Sequence, residues 1–509
     1  MHHCTLLTIC ALLIGCVLSP LSNAAEVVRY SDFGAKGDGK TDDFAALIKA
    51  HEHANAKGLP VMADANASYY IGGAAKTIRI MTDTDFGSAA FIIDDTDLES
   101  HRKSVFEIRS GMKPIELKGI RSLKKGQERI RARLPGPCVI TAYNSKVKQF
   151  IRKGNNRNSG SSQRDVFLVD EHGRVDPSTP IIWDFDHISK MEAMPLDEKV
   201  LTIKGGKFTT IACAKVSTDY HARGISISRS NVIIDGLEHR IKGEGKNGPP
   251  YRGFVSVSKC ANVMVRDSIF SGRKTYYKIG TAGRRTPMGS YGISLNSALN
   301  VSLVNCTQAN DINDRSIWGI MGTNFCKNLT LDGCKLSRFD AHQGVTNATI
   351  RNSTLGYMGI KLKGFGVFTV ENTTVKAPDF INLRPDYGST WNGEIIIRNC
   401  HFEPTGRGAS IIDGSNDGQH DFGYTTHLPS RVVIDGLVIN DSKQGRGYKG
   451  PAIFGDINPK MKNASYKMPH PQVLPEQVAY RGVETKSGKP LRLSENEFML
   501  RKVKVHTEK

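Results

Sequence analysis

Several signatures that would settle a function quickly are missing from this chain. It has no CxxC and no HExxH pattern, so the common zinc and thiol-redox arrangements are excluded. Gly37-Asp38-Gly39-Lys40 lacks the GxxxxGK[ST] spacing of a phosphate loop. Of the 10 cysteines, Cys4, Cys10 and Cys16 lie in the first 24 residues, leaving an odd seven without tight spacing, which is not a disulfide framework. After Leu6–Leu18 no stretch is long and apolar enough to span a bilayer. Acidic residues are also in deficit: 50 Asp and Glu stand against 69 Lys and Arg, a formal charge of +19.

The N-terminus reads as a secretory signal. Leu6–Leu18 has the length of an h-region, and Ser22-Asn23-Ala24 offers a small-x-small cleavage site before Ala25. The n-region carries His2 and His3 in place of Lys or Arg. Leu13-Ile14-Gly15-Cys16 is the alternative, a lipoprotein box that would leave an outer-membrane lipid anchor on Cys16. The expected location is therefore secreted or periplasmic. Removing residues 1–24 leaves the positive charge intact, and such an excess steers polyanions toward a protein. For an exported chain the expected partner is an anionic polysaccharide rather than nucleic acid.

A length of 509 residues would suggest several domains, but a solenoid grows by stacking coils along one axis. From residue 224 onward such a repeat is visible: apolar-x-apolar-x-[Asn/Asp/Gly]-x-x-apolar. It reads Val263-Met264-Val265-Arg266-Asp267-Ser268-Ile269-Phe270, then recurs from Val301, Leu329, Ala348, Phe368, Ile395 and Val432. The turn residues Asp267, Asn305, Gly333, Asn352, Asn372, Asn399 and Gly436 are 19 to 38 apart. Period-2 alternation inside such a repeat means short strands, one coil per repeat, with the surplus length in loops on one side. Ser268, Cys306, Cys334, Ser353, Thr373 and Cys400 then share one inward column, so the cysteines read as reduced and structural. The Asn-x-Ser/Thr triplets follow from the same repeat, because Asn tolerates the left-handed turn conformation.

The expected fold is an all-β, right-handed parallel β-helix with an N-terminal helical cap, forming a single domain over 25–509. Residues 25–75 would be the cap, with Asp42 or Asp43 starting its helix. Residues 76–220 would be irregular early coils with insertions and a polar loop from Arg152 to Arg164, 221–449 regular coils, and 450–509 a Pro-interrupted C-terminal cover. The segment Asp32-Phe33-Gly34-Ala35-Lys36-Gly37-Asp38-Gly39-Lys40-Thr41-Asp42-Asp43 resembles the N-terminal cap of pectin-lyase-like β-helix proteins. Glycosidases, lyases and phage tailspikes share that segment, so it implies the fold and not the reaction.

Coils stack about 4.8 Å apart, so residues at one offset form a ladder. Eight or nine positions past the small-residue column stand Tyr276 and Tyr277, then Asp314 and Arg315, His342, Lys361, and Asn382 with Arg384 two further on. Arg273, Lys274 and Lys278 flank the tyrosines; Trp318, Arg338, Tyr387 and Trp391 adjoin the column as candidate sugar-binding side chains. Hydrolysis needs two carboxyl groups, for which Asp314, Asp340 and Asp386 are at hand. Arg, Lys, His and Tyr suit β-elimination better. There a cation (Arg315, Lys361 or Arg384) neutralises a uronate carboxylate and a base removes the C5 proton. An acid then protonates the leaving oxygen at C4. His342 is the expected base, kept neutral by nearby cations; Tyr276 or Tyr277 would be the acid, or the base if its pKa falls. No compact Asp/Glu cluster stands in the column, so a Ca²⁺ site is not favoured and no cofactor is expected.

Four segments, Lys274–Gly280, Trp318–Gly322, Ser337–Gly344 and Asp386–Trp391, look like bacterial β-helix glycosaminoglycan lyases. The closest resemblance is to polysaccharide lyase family twenty-nine, of the chondroitin sulfate lyase type. It covers roughly residues 250–405 and the N-terminal segment. It implies cleavage of uronate-containing chains (chondroitin sulfate, dermatan sulfate or hyaluronan) to unsaturated oligosaccharides. The competing expectations are a glycoside hydrolase of the same fold and a non-catalytic glycan-binding or tailspike-like adhesin; a signal peptide argues against a tailspike.

Overall fold

The alternation in the repeat becomes two continuous inward columns in the computed structural model, which describes residues 26–319 and 321–507. The expected signal segment and its Cys16 lie outside the described residues. The first column stacks Val232, Val263, Val301, Leu329, Ala348, Phe368, Ile395, Val432 and Val478, each paired in parallel with the next. Two residues on, Ile234, Val265, Leu303, Leu331, Ile350, Val370, Ile397 and Ile434 form the second. All of these side chains are buried. Each of the Val, Leu, Ile and Phe side chains contributes ~1.5–3 kcal/mol of apolar burial. The resulting sheet of 30 strands pairs in parallel throughout, and the chain is an all-β, mostly parallel β-helix.

Turns and small residues keep the coils in register. Asn231, Asn262, Asn300, Asn328 and Asn347 all sit in the left-handed region, at φ between 53° and 60° with their neighbours in the column. Each amide donates to the one below: Asn262 to Asn231 at 2.9 Å, Asn300 to Asn262 at 3.0 Å, Asn328 to Asn300 at 2.9 Å. Such a ladder satisfies one side chain with the next and needs an L-residue that tolerates positive φ. The small-residue column runs Ser268, Cys306, Cys334, Ser353, Thr373, Cys400, linked by backbone hydrogen bonds from each following coil. All seven described cysteines are free and buried.

Between Arg109 and Leu201 the chain leaves the solenoid and returns to the next coil, where Leu201–Ile211 pairs with Thr84–Asp94. The excursion folds as a four-stranded antiparallel sheet, Ile115–Glu116, Cys138–Gln149, Ser161–Val169 and Lys190–Pro195, around Ile140, Phe167 and Phe185. It seats on the solenoid through Val139, Val166 and Leu168 against Ala261 and Leu299. A buried ion pair, Lys327 Nζ to Asp165 at 2.8 Å, fixes it there. The expected polar loop therefore ends sooner, and Arg164 belongs to a strand.

At the N-terminal end the helix Phe44–Lys57 buries Phe44, Leu47, Ala50, His51 and Ala54. Asp42 accepts from the Phe44 amide at 3.0 Å, whereas Asp43 turns back to the amides of Lys36 and Gly37. At the other end, parallel pairing continues beyond Gly450 although the sequence repeat fades: Val432 pairs with Val478, and Val478 with Val505.

Candidate functional site

Outward-facing residues of the same strands form the floor of a groove of about 1320 Å³. Ser226, Ser256, Ser294 and Gly322 are in register, as are Ser258, Asn296 and Asn324. Short polar side chains leave an open channel furnished with hydrogen-bonding groups. Further along, Asp340, Lys361, Asn382 and Asp413 are successive rungs, of which Lys361 and Asn382 line the groove and Asp340 is fully buried. The antiparallel insert raises one wall with Tyr143, Arg164 and the loop 152–156; the hairpin Tyr276–Ile279/Arg285–Met288 raises the other. Loop and hairpin meet: the Ala282 amide donates to the Asn155 carbonyl at 3.3 Å, and the Thr281 hydroxyl donates to the Arg157 carbonyl.

Ten Lys and Arg residues line this groove and only one carboxylate, Asp386. They divide into two sets. Arg102, Arg164, Arg252, Lys259, Lys278 and Lys361 have no carboxylate within 4 Å among the described residues. Arg164 instead bonds neutral Asn296 and Ser297 and lies over the Phe325 ring at 4.6 Å. By contrast, Arg384 spans two carboxylates, Asp340 at 2.6 Å and Asp386 at 2.8 Å. Arg152 joins Asp386 at 2.6 Å, and Arg338 pairs with Asp340. The Tyr291 hydroxyl donates to Asp340 at 3.2 Å. Burial opposes both carboxylates, yet the arginines outweigh it and hold Asp340 and Asp386 below the usual carboxylate range.

His342 stands beside this network because of a register slip. Thr323 pairs with Ala341 and the next residue, Asn324, pairs with Gln343, so His342 is the extra residue of a β-bulge. Bulges are rare in parallel pairs and re-aim one side chain; this one turns His342 into the groove wall. Its Nδ1 lies 3.0 Å from the Asn324 amide oxygen, so Nδ1 carries the proton and donates. The lone pair is then on Nε2, 3.4 Å from the Tyr387 hydroxyl. Burial first, and Arg384 next, push the imidazole pKa down to about 3. It is a neutral imidazole at every physiological pH.

The structure brings His342, Lys361, Arg384, Arg338, Asn382, Lys278 and Trp318 together along the groove. Tyr387 is fully buried beside His342, with ring centroids 5.5 Å apart. The others lie elsewhere. Trp391 is a core residue against Phe368, its indole donating to the Glu394 carbonyl at 3.0 Å. Tyr276 and Tyr277 leave the coil with the hairpin. Tyr276 packs inward, where burial raises its pKa to about 12, and Tyr277 is half exposed beneath Arg285. Arg315 is exposed outside the groove, as is Asp314. Arg273 is buried over the Tyr251 ring at 3.3 Å, and Lys274 bonds Glu244 at the foot of the hairpin.

The reason is geometric. Counting from the small-residue column assumes equal loops, but the hairpin pairs with itself and the bulge adds one residue. Lys361 is thus the partner of Asp340 rather than of His342. Sequence reading missed Arg152, Arg252, Lys259 and Tyr291. Arg152 sits 234 positions from the Asp386 it binds, a separation that no local pattern reports. Among the described residues no three of His, Cys, Asp and Glu stand together as metal ligands. No described helix is long and apolar enough to cross a membrane.

Comparison with solved structures agrees with this architecture. The tailspike gp61 of Pseudomonas phage phi297 superposes with a TM-score of 0.56 at 15% identity, over 95% of this chain and 84% of that one. The Gp54 tailspike of Acinetobacter baumannii bacteriophage AP22, solved in complex with a capsular saccharide, gives 0.51 at 9% identity, over 94% and 79%. The tailspike gp49 of Pseudomonas phage LKA1 gives 0.50 at 13% identity, over 94% and 84%. At such identities the similarity shows a shared β-helix fold and nothing of the reaction. No family model matches the sequence, and no curated protein does.

Proposed function

We propose that the protein is a polysaccharide lyase that cleaves a uronic-acid-containing glycosaminoglycan, of the chondroitin sulfate, dermatan sulfate or hyaluronan type, by β-elimination. The observation that carries this reading is the neutral His342, set by a bulge against a groove with ten cations and one carboxylate. The polymer lies along the floor, its hydroxyls meeting the Ser and Asn rungs and its anionic groups the unpaired cations. A uronate carboxylate comes to the side of the cluster where Arg152, Arg338 and Arg384 outnumber Asp340 and Asp386. That excess charge stabilises the carbanion-like species formed as the C5 proton leaves. His342 Nε2 takes the proton. A bound carboxylate offsets Arg384 and Arg152, two of the causes that depress its pKa, so substrate raises its basicity. Trp318 lines the groove beside Tyr291 and offers an apolar face to a sugar ring.

The hydrolytic alternative is less well supported. It requires a protonated and an ionised carboxyl group that both reach the substrate, whereas Asp386 is the one carboxyl group lining the groove and is held ionised by arginines, and Asp314 lies outside it. On the lyase reading residues 1–24 are removed on export, or Cys16 is lipidated at the outer membrane, and the helix Phe44–Lys57 covers the open edge of the first coil. The test is ultraviolet absorbance of the unsaturated uronate, with mature protein on chondroitin sulfate, dermatan sulfate, hyaluronan, heparan sulfate, alginate and polygalacturonate. A rise on a glycosaminoglycan supports the reading. New reducing ends without absorbance mean hydrolysis, and binding without either means a glycan-binding protein.

A further inference from the structure

We propose that Lys361 hands a proton to the departing glycosidic oxygen and that the carboxyl pair Asp379–Asp413 behind it restores that proton. The inference rests on the lyase reading and assigns the acid that the hairpin tyrosines do not provide. Lys361 lies on the groove floor between Asp340 and Asn382, with Asp413 the rung after Asn382. At this end of the groove Arg152, Lys153, Arg338 and Arg384 each hold a carboxylate in an ion pair. Lys361 has none within 4 Å among the described residues. It is also the one of these groups besides Lys153 whose chemistry allows it to lose a proton, since a guanidinium keeps its own.

The groups facing Lys361 are Asp379, Asp340 and Asp413 on the acidic side, Arg338 and Arg384 on the basic side. Burial, the largest influence, and the two arginines together lower its pKa, which favours release of the proton. Asp379 accepts from the Asn382 side-chain amide at 3.2 Å, and Asp413 stands close enough for the two carboxyl groups to act on each other. Two carboxylates sharing one buried site repel, which favours a proton on one of them. Gly455 leaves room for the pair: a Cβ there would stand 2.0 Å from Asp413 Oδ1. Burial and then the Asp379 charge raise Asp413 to about 6, with Lys361 the one cation facing it.

The proton account closes. His342 Nε2 accepts the C5 proton, the C–H electron pair becomes the C4–C5 double bond, and the C4–O bond breaks with its electrons on oxygen. The Lys361 ammonium protonates that oxygen. The carboxyl pair then reprotonates the amine and takes back one proton from solvent, to which His342 releases the proton it accepted.

Steady-state kinetics of the full mature chain on the polymer it cleaves, across pH, test the proposal, with circular dichroism to confirm folding. Lys361→Met lowers kcat by ~10²–10⁴-fold with little change in KM. Lys361→Arg keeps the charge and is equally impaired, because arginine cannot give up its proton. In the wild type kcat falls as pH rises through about 6, where the pair loses its proton. Asp379→Asn removes the like charge, lowers the Asp413 pKa and moves that limb to lower pH. Wild-type activity in Lys361→Arg, or a limb that Asp379→Asn leaves in place, overturns the proposal while the lyase reading stands. Absence of unsaturated product from the wild type overturns the lyase reading itself.

Discussion

The two halves of the groove handle charge in opposite ways. Toward the N-terminal coils, Arg102, Arg252 and Lys259 are exposed and lack carboxylate partners, above a floor of Ser226, Ser256 and Ser258. Toward the C-terminal coils, Arg338 and Arg384 are buried or nearly so and tied to Asp340 and Asp386. Free cations over a neutral floor attract an anionic chain at long range and bind it in any register. A paired, buried network attracts little at a distance but fixes the positions of its members to within a hydrogen bond. It also excludes water, so the field at His342 is strong. On the proposed function, one half captures the polymer and the other acts on it.

The sharpest break in that comparison is His342→Ala. Removing the base lowers kcat by ~10²–10⁴-fold while leaving KM nearly unchanged, read from the rate of unsaturated product formation. Arg384→Ala acts on the same half through stability as well. It leaves Asp340 and Asp386 short of a partner and costs ~3–5 kcal/mol, read as a lower denaturant midpoint.

A pH effect separates the halves further. Folding keeps His342 neutral down to about 3, against an unfolded value of ~6.5. Its folded pKa is the lower one, so the unfolded chain takes up the proton first. The associated stability is full above ~6.5 and is lost as pH falls toward about 3. His342→Gln abolishes that portion of the acid sensitivity, measured as melting temperature against pH.

At the capturing half the effects are smaller. Arg252→Ala with Lys259→Ala raises KM by roughly three- to tenfold at low ionic strength without changing kcat, each exposed cation being worth ~0.2–1 kcal/mol. In 1 M salt, where the Debye length is ~3 Å, the difference from the wild type disappears. Least of all, Tyr277→Phe stays within ~0.5 kcal/mol of the wild type in both stability and transition-state binding, because the side chain stands half exposed on the hairpin.

What could be read from the sequence follows the same division between repeated and singular features. The coil is a local pattern written many times over: Val263, Val301 and Leu329 recur with their turns, and so do Cys306 and Cys334. Column membership followed from the repeat wherever the loops stayed outside the strands. His342, Lys361 and Arg384 stand along one groove, as their shared column implied, because they occupy strands or strand ends of that stack. Tyr276 and Trp391 show where the method gives out. A hairpin that pairs with itself looks in sequence like another strand. A tryptophan beside a polar turn can equally face the core, where Trp391 pairs in register with Gly364. The insert wall was illegible for a different reason. Arg152 and Arg164 reach the groove only because a separate antiparallel sheet docks on Ala261 and Leu299, through apolar contacts and the Lys327–Asp165 pair between residues far apart in sequence.

The most direct test of the central claim is the stoichiometry between new reducing ends and unsaturated uronates during cleavage of a glycosaminoglycan, followed for the wild type and for His342→Ala. Elimination at the His342 site gives one double bond for each new reducing end, with both signals falling together by ~10²–10⁴-fold in the variant. Reducing ends formed without double bonds, or both signals persisting at the wild-type rate in His342→Ala, would contradict it.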